Sequence, residues 1–95
     1  MEKQDYPMIN TVRTGRRMKE VCESKNISAR DLQEIMQLAS VQAVYNWFKG
    51  VRLPNIDNLF AFSRLLGVSL DDLLVAEDNS DIGQQLLLYC NTMTE

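Results

Sequence analysis

Ser28 and Ser40 stand twelve residues apart, and each opens a short run with apolar residues at helical spacing. Serine is a favoured N-cap because its side-chain oxygen accepts from a backbone N–H that the helix start leaves unpaired. Leu32, Ile35 and Met36 follow the first serine; Val44, Trp47 and Phe48 follow the second. Each trio falls at i, i+3, i+4, one face of a helix. Twelve residues must therefore hold a whole helix and the turn into the next. The first helix has at most about two turns, and the turn that joins it to the second is very short.

The same punctuation runs through the rest of the chain. Thr14 is expected to cap a helix starting at Gly15, with Met18, Val21 and Cys22 on its inner face and an end near Lys25–Asn26. Ile27 suits a hydrophobic staple against Leu32, and Asp31 sits in the favourable first turn of the second helix. Gln37-Leu38-Ala39 forms the turn, and Ser40 caps a third helix from Val41 to Lys49 that Gly50 closes. Pro54 biases Leu53 away from helix. Asn55 caps a fourth helix, Ile56 to Leu66, carrying Leu59, Phe60, Phe62, Ser63 and Leu66, and Gly67 stops it. Ser69 with Asp72 makes a capping-box-like start for a short fifth helix ending near Val75. Residues 1–13, with Pro7, are expected to be an irregular arm. Residues 76–95 are expected to form an acidic linker and then a sixth helix over Ile82 to Asn91.

Composition agrees with an all-α chain: two prolines and four glycines in 95 residues leave little for tight β turns. No apolar run approaches the length of a membrane span, and the opening is not of signal-peptide type, so a cytoplasmic protein is expected. Cys22 and Cys90 are then expected as free thiols; a disulfide between them would go with secretion. With no histidine and no clustered cysteines, neither a zinc site nor any other metal or cofactor is expected. The net charge of −3 conceals a segregation. Residues 1–64 hold all ten basic and seven acidic residues, +3; residues 65–95 hold six acids and no base. A basic surface backed by an acidic end suits a polyanionic partner. Nothing suits catalysis: no serine or cysteine has an evident partner base, and no glycine-rich loop is present.

Two short helices joined by a tight turn are the helix-turn-helix arrangement, in which one helix crosses the phosphate backbone and the next enters the major groove. Here residues 14–75 resemble the phage lambda-type repressor/Cro (XRE) domain, about two-thirds of the chain. Residues 28–36 (SARDLQEIM) resemble that family's second helix, and residues 43–50 (AVYNWFKG) its recognition helix with closing glycine. Residues 53–59 (LPNIDNL) and 65–74 (LLGVSLDDLL) resemble its last two helices. The resemblance implies a five-helix lambda repressor-like domain with a short additional C-terminal segment.

It also implies a site. Gln42, Ala43 and Asn46 take base-contact positions; the two amides lie one turn apart and suit adenine N6 and N7, while Ala43 suits a thymine methyl. Arg16, Arg17, Ser28, Arg30, Ser40, Tyr45, Lys49, Arg52 and Asn55 are candidates for the DNA backbone. Trp47 belongs to the core. The expected partner is double-stranded DNA bound by a homodimer, with the Leu-rich segment 82–91 as the dimerisation element, and the expected role is transcriptional regulation, more often repression. An antitoxin-like protein that neutralises a partner through its C-terminal segment and autoregulates its operon is the alternative; an adaptor that has lost DNA binding is a third reading.

The chain departs from the family pattern in three ways. The turn before the recognition helix is one residue longer, with Gln37 where glycine is usual. Cys22 and Phe48 occupy positions where the family often pairs an arginine with a glutamate, so an apolar contact is expected there. No protease or dimerisation domain of the phage type is expected beyond the fifth helix.

Overall fold

The computed structural model describes residues 8–77. They form α1 (Thr11–Ser24), α2 (Ala29–Ile35), α3 (Val41–Lys49), α4 (Ile56–Leu66) and α5 (Leu70–Leu73), with no strand among the described residues beyond one isolated antiparallel bridge, Ile9 to Ala76. None of these helices is long and apolar enough to cross a membrane. The sixth helix expected over 82–91, Cys90 and most of the N-terminal arm lie outside the described residues.

The helix start at Thr14 is corrected. Asn10, not Thr14, caps α1: its side-chain oxygen accepts from Arg13 N at 2.9 Å, and Thr11 to Arg13 are helical rather than irregular. Thr14 lies one turn inside the helix, fully buried, and its hydroxyl accepts from Val75 N at 3.0 Å. A buried backbone donor left unpaired costs about 1–3 kcal/mol, and Thr14 removes that cost at Val75. Around it the two ends of the domain are clasped: Asn10 N donates to Val75 O and Glu77 N to Met8 O, each at 2.7 Å.

α2 carries a complete capping box. Ser28 Oγ accepts from Asp31 N, and the Asp31 carboxylate accepts from Ser28 N, both at 3.1 Å. The turn that follows places Gln37 at φ 57°, the left-handed region that favours glycine. Its strain is offset by Leu38 N donating to Gln33 O and by Gln33 Nε2 donating to Leu38 O, at 2.9 and 3.1 Å. Leu38 packs against the core and fixes the entry to α3. α5 has half of the expected box: Asp72 N donates to Ser69 Oγ at 3.1 Å.

The core is built from Met18, Val21, Cys22, Leu32, Val44, Trp47, Leu59, Phe62, Leu66 and Leu73, so every helix contributes. α3 sits centrally, packed on both α1 and α2. Its crossing with α1 is a backbone-to-backbone approach at two glycines. A Cβ on Gly15 would run into the Trp47 carbonyl oxygen and lie 3.0 Å from Gly50 N; one on Gly50, at φ 76°, would meet the Val12 and Thr11 backbone. Two core expectations fail: Ile35 on α2 is 45 % exposed, and Phe60 is 52 % exposed, turned away from the buried Leu59, Phe62, Ser63 and Leu66.

Among the described residues Cys22 is a free, buried thiol, and Phe48 packs against the same cluster. Burial, with Glu23 beside it, pushes the Cys22 pKa from 9.0 to about 11. The folded chain thus holds this proton more tightly than the unfolded chain. The stabilisation is complete below about pH 9 and lost as pH climbs towards about 11. Urea midpoints measured from pH 7 upward should fall more steeply for the native chain than for Cys22→Val; parallel curves would contradict this.

Candidate functional site

The exposed side of α3 gathers four of the singled-out residues. Helical geometry puts Gln42, Tyr45, Asn46 and Lys49 on one face, opposite the buried Val44 and Trp47. Gln42, Tyr45 and Lys49 are exposed and Asn46 half-buried; Ala43 lies at the edge of the face, also half-buried. Gln42 Nε2 donates to Asn46 Oδ1 at 3.1 Å, a bond between side chains one turn apart. That bond leaves Gln42 Oε1 to accept and Asn46 Nδ2 to donate, side by side on the exposed face of the helix.

Ser40 has the extended backbone of an N-cap but makes no capping bond, so among the described residues its exposed hydroxyl has no partner at the head of α3. The Ser28 hydroxyl, by contrast, is occupied within the capping box. Asn55 behaves likewise, its side-chain oxygen accepting from Asn58 N at 2.8 Å. At the far end of α3, Gly50 adopts the left-handed turn, and Val51 N folds back to donate to Asn46 O at 3.0 Å. This holds the exposed Arg52 just beyond the exit of α3. Arg30 is exposed in the first turn of α2, and Arg16 is exposed on α1.

Arg17 does not belong with them. Its Nε donates to the Asp72 carbonyl at 2.8 Å, so its guanidinium is directed to α5 rather than towards α3. The basic residue that α1 does bring to α3 is Lys19. It lines a cavity of about 280 Å³ together with Cys22, Glu23, Ile27, Ser28, Ala29, Tyr45, Phe48 and Lys49. Two cations, from α1 and α3, thereby flank the start of α2, which also contributes Ser28. The available signal was spacing: Lys19 follows Gly15 by four residues, on the face that Gly15 turns to α3. It is readable only once the partner of Gly15 is known.

The arrangement offers polar hydrogen-bonding groups on a protruding helix, framed by cations and by a hydroxyl at the helix head. It fits a groove whose floor carries hydrogen-bonding edges and whose walls are anionic.

Comparison with known proteins yields a family match and a similar structure. The helix-turn-helix family model matches residues 18–73, from the middle of α1 to the end of α5. No curated protein matches the sequence. A solved structure described as the crystal structure of the DNA-binding domain of BldD superposes with a TM-score of 0.60 at 18 % identity. The match covers 68 % of this chain and 93 % of that one. At that identity the likeness is one of fold.

Proposed function

This chain belongs to the XRE-type helix-turn-helix family of DNA-binding regulators, and from that membership we propose that it binds double-stranded DNA sequence-specifically and acts as a small transcriptional repressor, with α3 in the major groove. The observation that carries the reading is the Gln42–Asn46 pair on the exposed face of α3. Its remaining acceptor and donor are the complement of adenine's N6 amine and N7. Ala43, at the edge of that face, meets a thymine methyl. Lys49, Arg52, Arg30, Arg16, Tyr45 and the Ser40 hydroxyl hold the sugar–phosphate backbone; Asn55 and the start of α2 add backbone amides. Lys19 joins this set through the cavity that it lines together with Lys49, and Arg17 leaves it. Two copies bind as a homodimer on a pseudo-palindromic site and exclude polymerase.

The test is a selection of bound duplexes from a random-sequence pool at near-physiological salt. A two-fold symmetric motif should emerge. No enrichment, with protein that is demonstrably folded, overturns sequence-specific binding and turns attention to a protein partner.

The backbone assignments have their own signature. Lys49→Ala, Arg52→Ala and Lys19→Ala should each weaken binding alike on every duplex. Each should also flatten the log–log salt dependence by ~0.9 for every phosphate the variant no longer neutralises. Arg17→Ala, whose side chain is engaged with α5, should leave the slope unchanged. A slope change for Arg17→Ala equal to the others would refute this division.

A further inference from the structure

We propose that the exposed edge of α4 carrying Ile56 and Phe60 is a self-association surface, on which a second copy of this chain docks antiparallel with Phe60 against Phe60. The inference deepens the homodimer reading above by placing its interface, but the pairing itself needs no DNA.

The face is apolar where it should not be. Ile56 is 76 % and Phe60 52 % exposed, and they are neighbours at i, i+4 along the edge of α4 that borders its buried face of Leu59, Phe62, Ser63 and Leu66. They are flanked by charges of opposite sign. Asp57 lies in the first turn and Arg64 in the last, seven residues apart and therefore on one flank of the helix. The Arg64 guanidinium carbon stands 5.1 Å from the Phe60 ring centre, so the cation is held over this face.

That pattern fits a second copy rather than an unrelated partner. A two-fold axis across α4 reverses the helix direction while keeping each flank against itself. The first turn of one α4 then faces the last turn of the other, and Asp57 of each copy meets the partner's Arg64. Phe60, near the middle of the 11-residue helix, falls on the axis. The helix dipoles oppose, which favours the antiparallel arrangement. A contact built on one helix about 16 Å long stays below the roughly 1,200 Å² of a standard interface. The dimer is therefore weak in solution and completed on DNA with two half-sites.

The test is sedimentation equilibrium of the full chain without DNA, with circular dichroism and melting as controls of folding. The native chain should self-associate at concentrations below about 1 mM. Phe60→Ala, Asp57→Arg and Arg64→Asp should each reduce association at least ~tenfold. A one-to-one mixture of the Asp57→Arg and Arg64→Asp chains should associate as the native chain does, because each supplies the charge the other lacks. A native chain that stays monomeric overturns the proposal. So does association that none of the three variants weakens, which would place the interface elsewhere, residues 78–95 included. Failure of the mixture to recover overturns the antiparallel register. Loss of DNA binding would be read separately, in the duplex selection, and leaves these outcomes unaffected.

Discussion

Gly15→Ala should unfold the domain tens of degrees below the native melting temperature, although the same change ordinarily strengthens a helix. Alanine in place of glycine inside a helix gains about 0.5–1 kcal/mol from chain entropy. At this position the added methyl meets the Trp47 carbonyl oxygen, Gly50 N and the Phe48 carbonyl oxygen together. All three are backbone atoms, so no rotamer change relieves them, and α1 must move off α3. Overpacking of a well-packed site costs ~1–3 kcal/mol and sometimes more; with the main packing of α1 on α3 opened, the upper end of that range or beyond is expected. For a domain of this size each kcal/mol is worth about 4–8 °C. Thermal melting followed by circular dichroism reads the sign directly. An unchanged or raised melting temperature would mean that α1 and α3 do not cross as described.

The second large effect concerns the reading face. On its best duplex, Gln42→Ala or Asn46→Ala should cost about 1–3 kcal/mol, while binding to random duplex should hardly change. The amides are hydrogen-bonded to each other, so removing one disturbs the other, and the double variant should cost less than the sum of the singles. The double variant should nevertheless lose its sequence preference and keep its salt dependence. Titration of a selected and a scrambled duplex side by side decides it. Equal weakening on both would turn these amides into phosphate ligands and move the reading face elsewhere.

Much of the fold was legible because its punctuation is local. Ser40 and Gly50 bound α3, and Asn55 and Gly67 bound α4, residue for residue as the spacing predicts. Asn26 takes the left-handed conformation expected where α1 ends, at φ 59°. The start of α1 was not legible, because Asn10 and Thr14 are both capping residue types. The choice between them is made by Val75, sixty-one residues beyond Thr14. Phe60 was misplaced for a different reason. Leu59 and Phe60 are adjacent, a helix turns 100° between neighbours, and only one of them can share a face with Phe62, Ser63 and Leu66. Which residues lie on the exposed side of α3 was predictable from its own periodicity, whereas the surroundings of the α1 residues depended on what flanks α1 on each side. Arg17 and Lys19 are two residues apart in sequence; one is bound to α5, and the other lines a cavity with α3.

The clasp between the first and last described segments has a consequence in gene architecture. Met8 O and Glu77 N are 2.7 Å apart, so the polypeptide enters and leaves this unit through a single doorway. Such a unit behaves as a cassette: it can be inserted into a surface loop of another protein without prising its host apart. It can also be rewired by joining its ends with a few residues and opening new ones between α3 and α4, since the packing of the helices does not depend on where the reading frame begins.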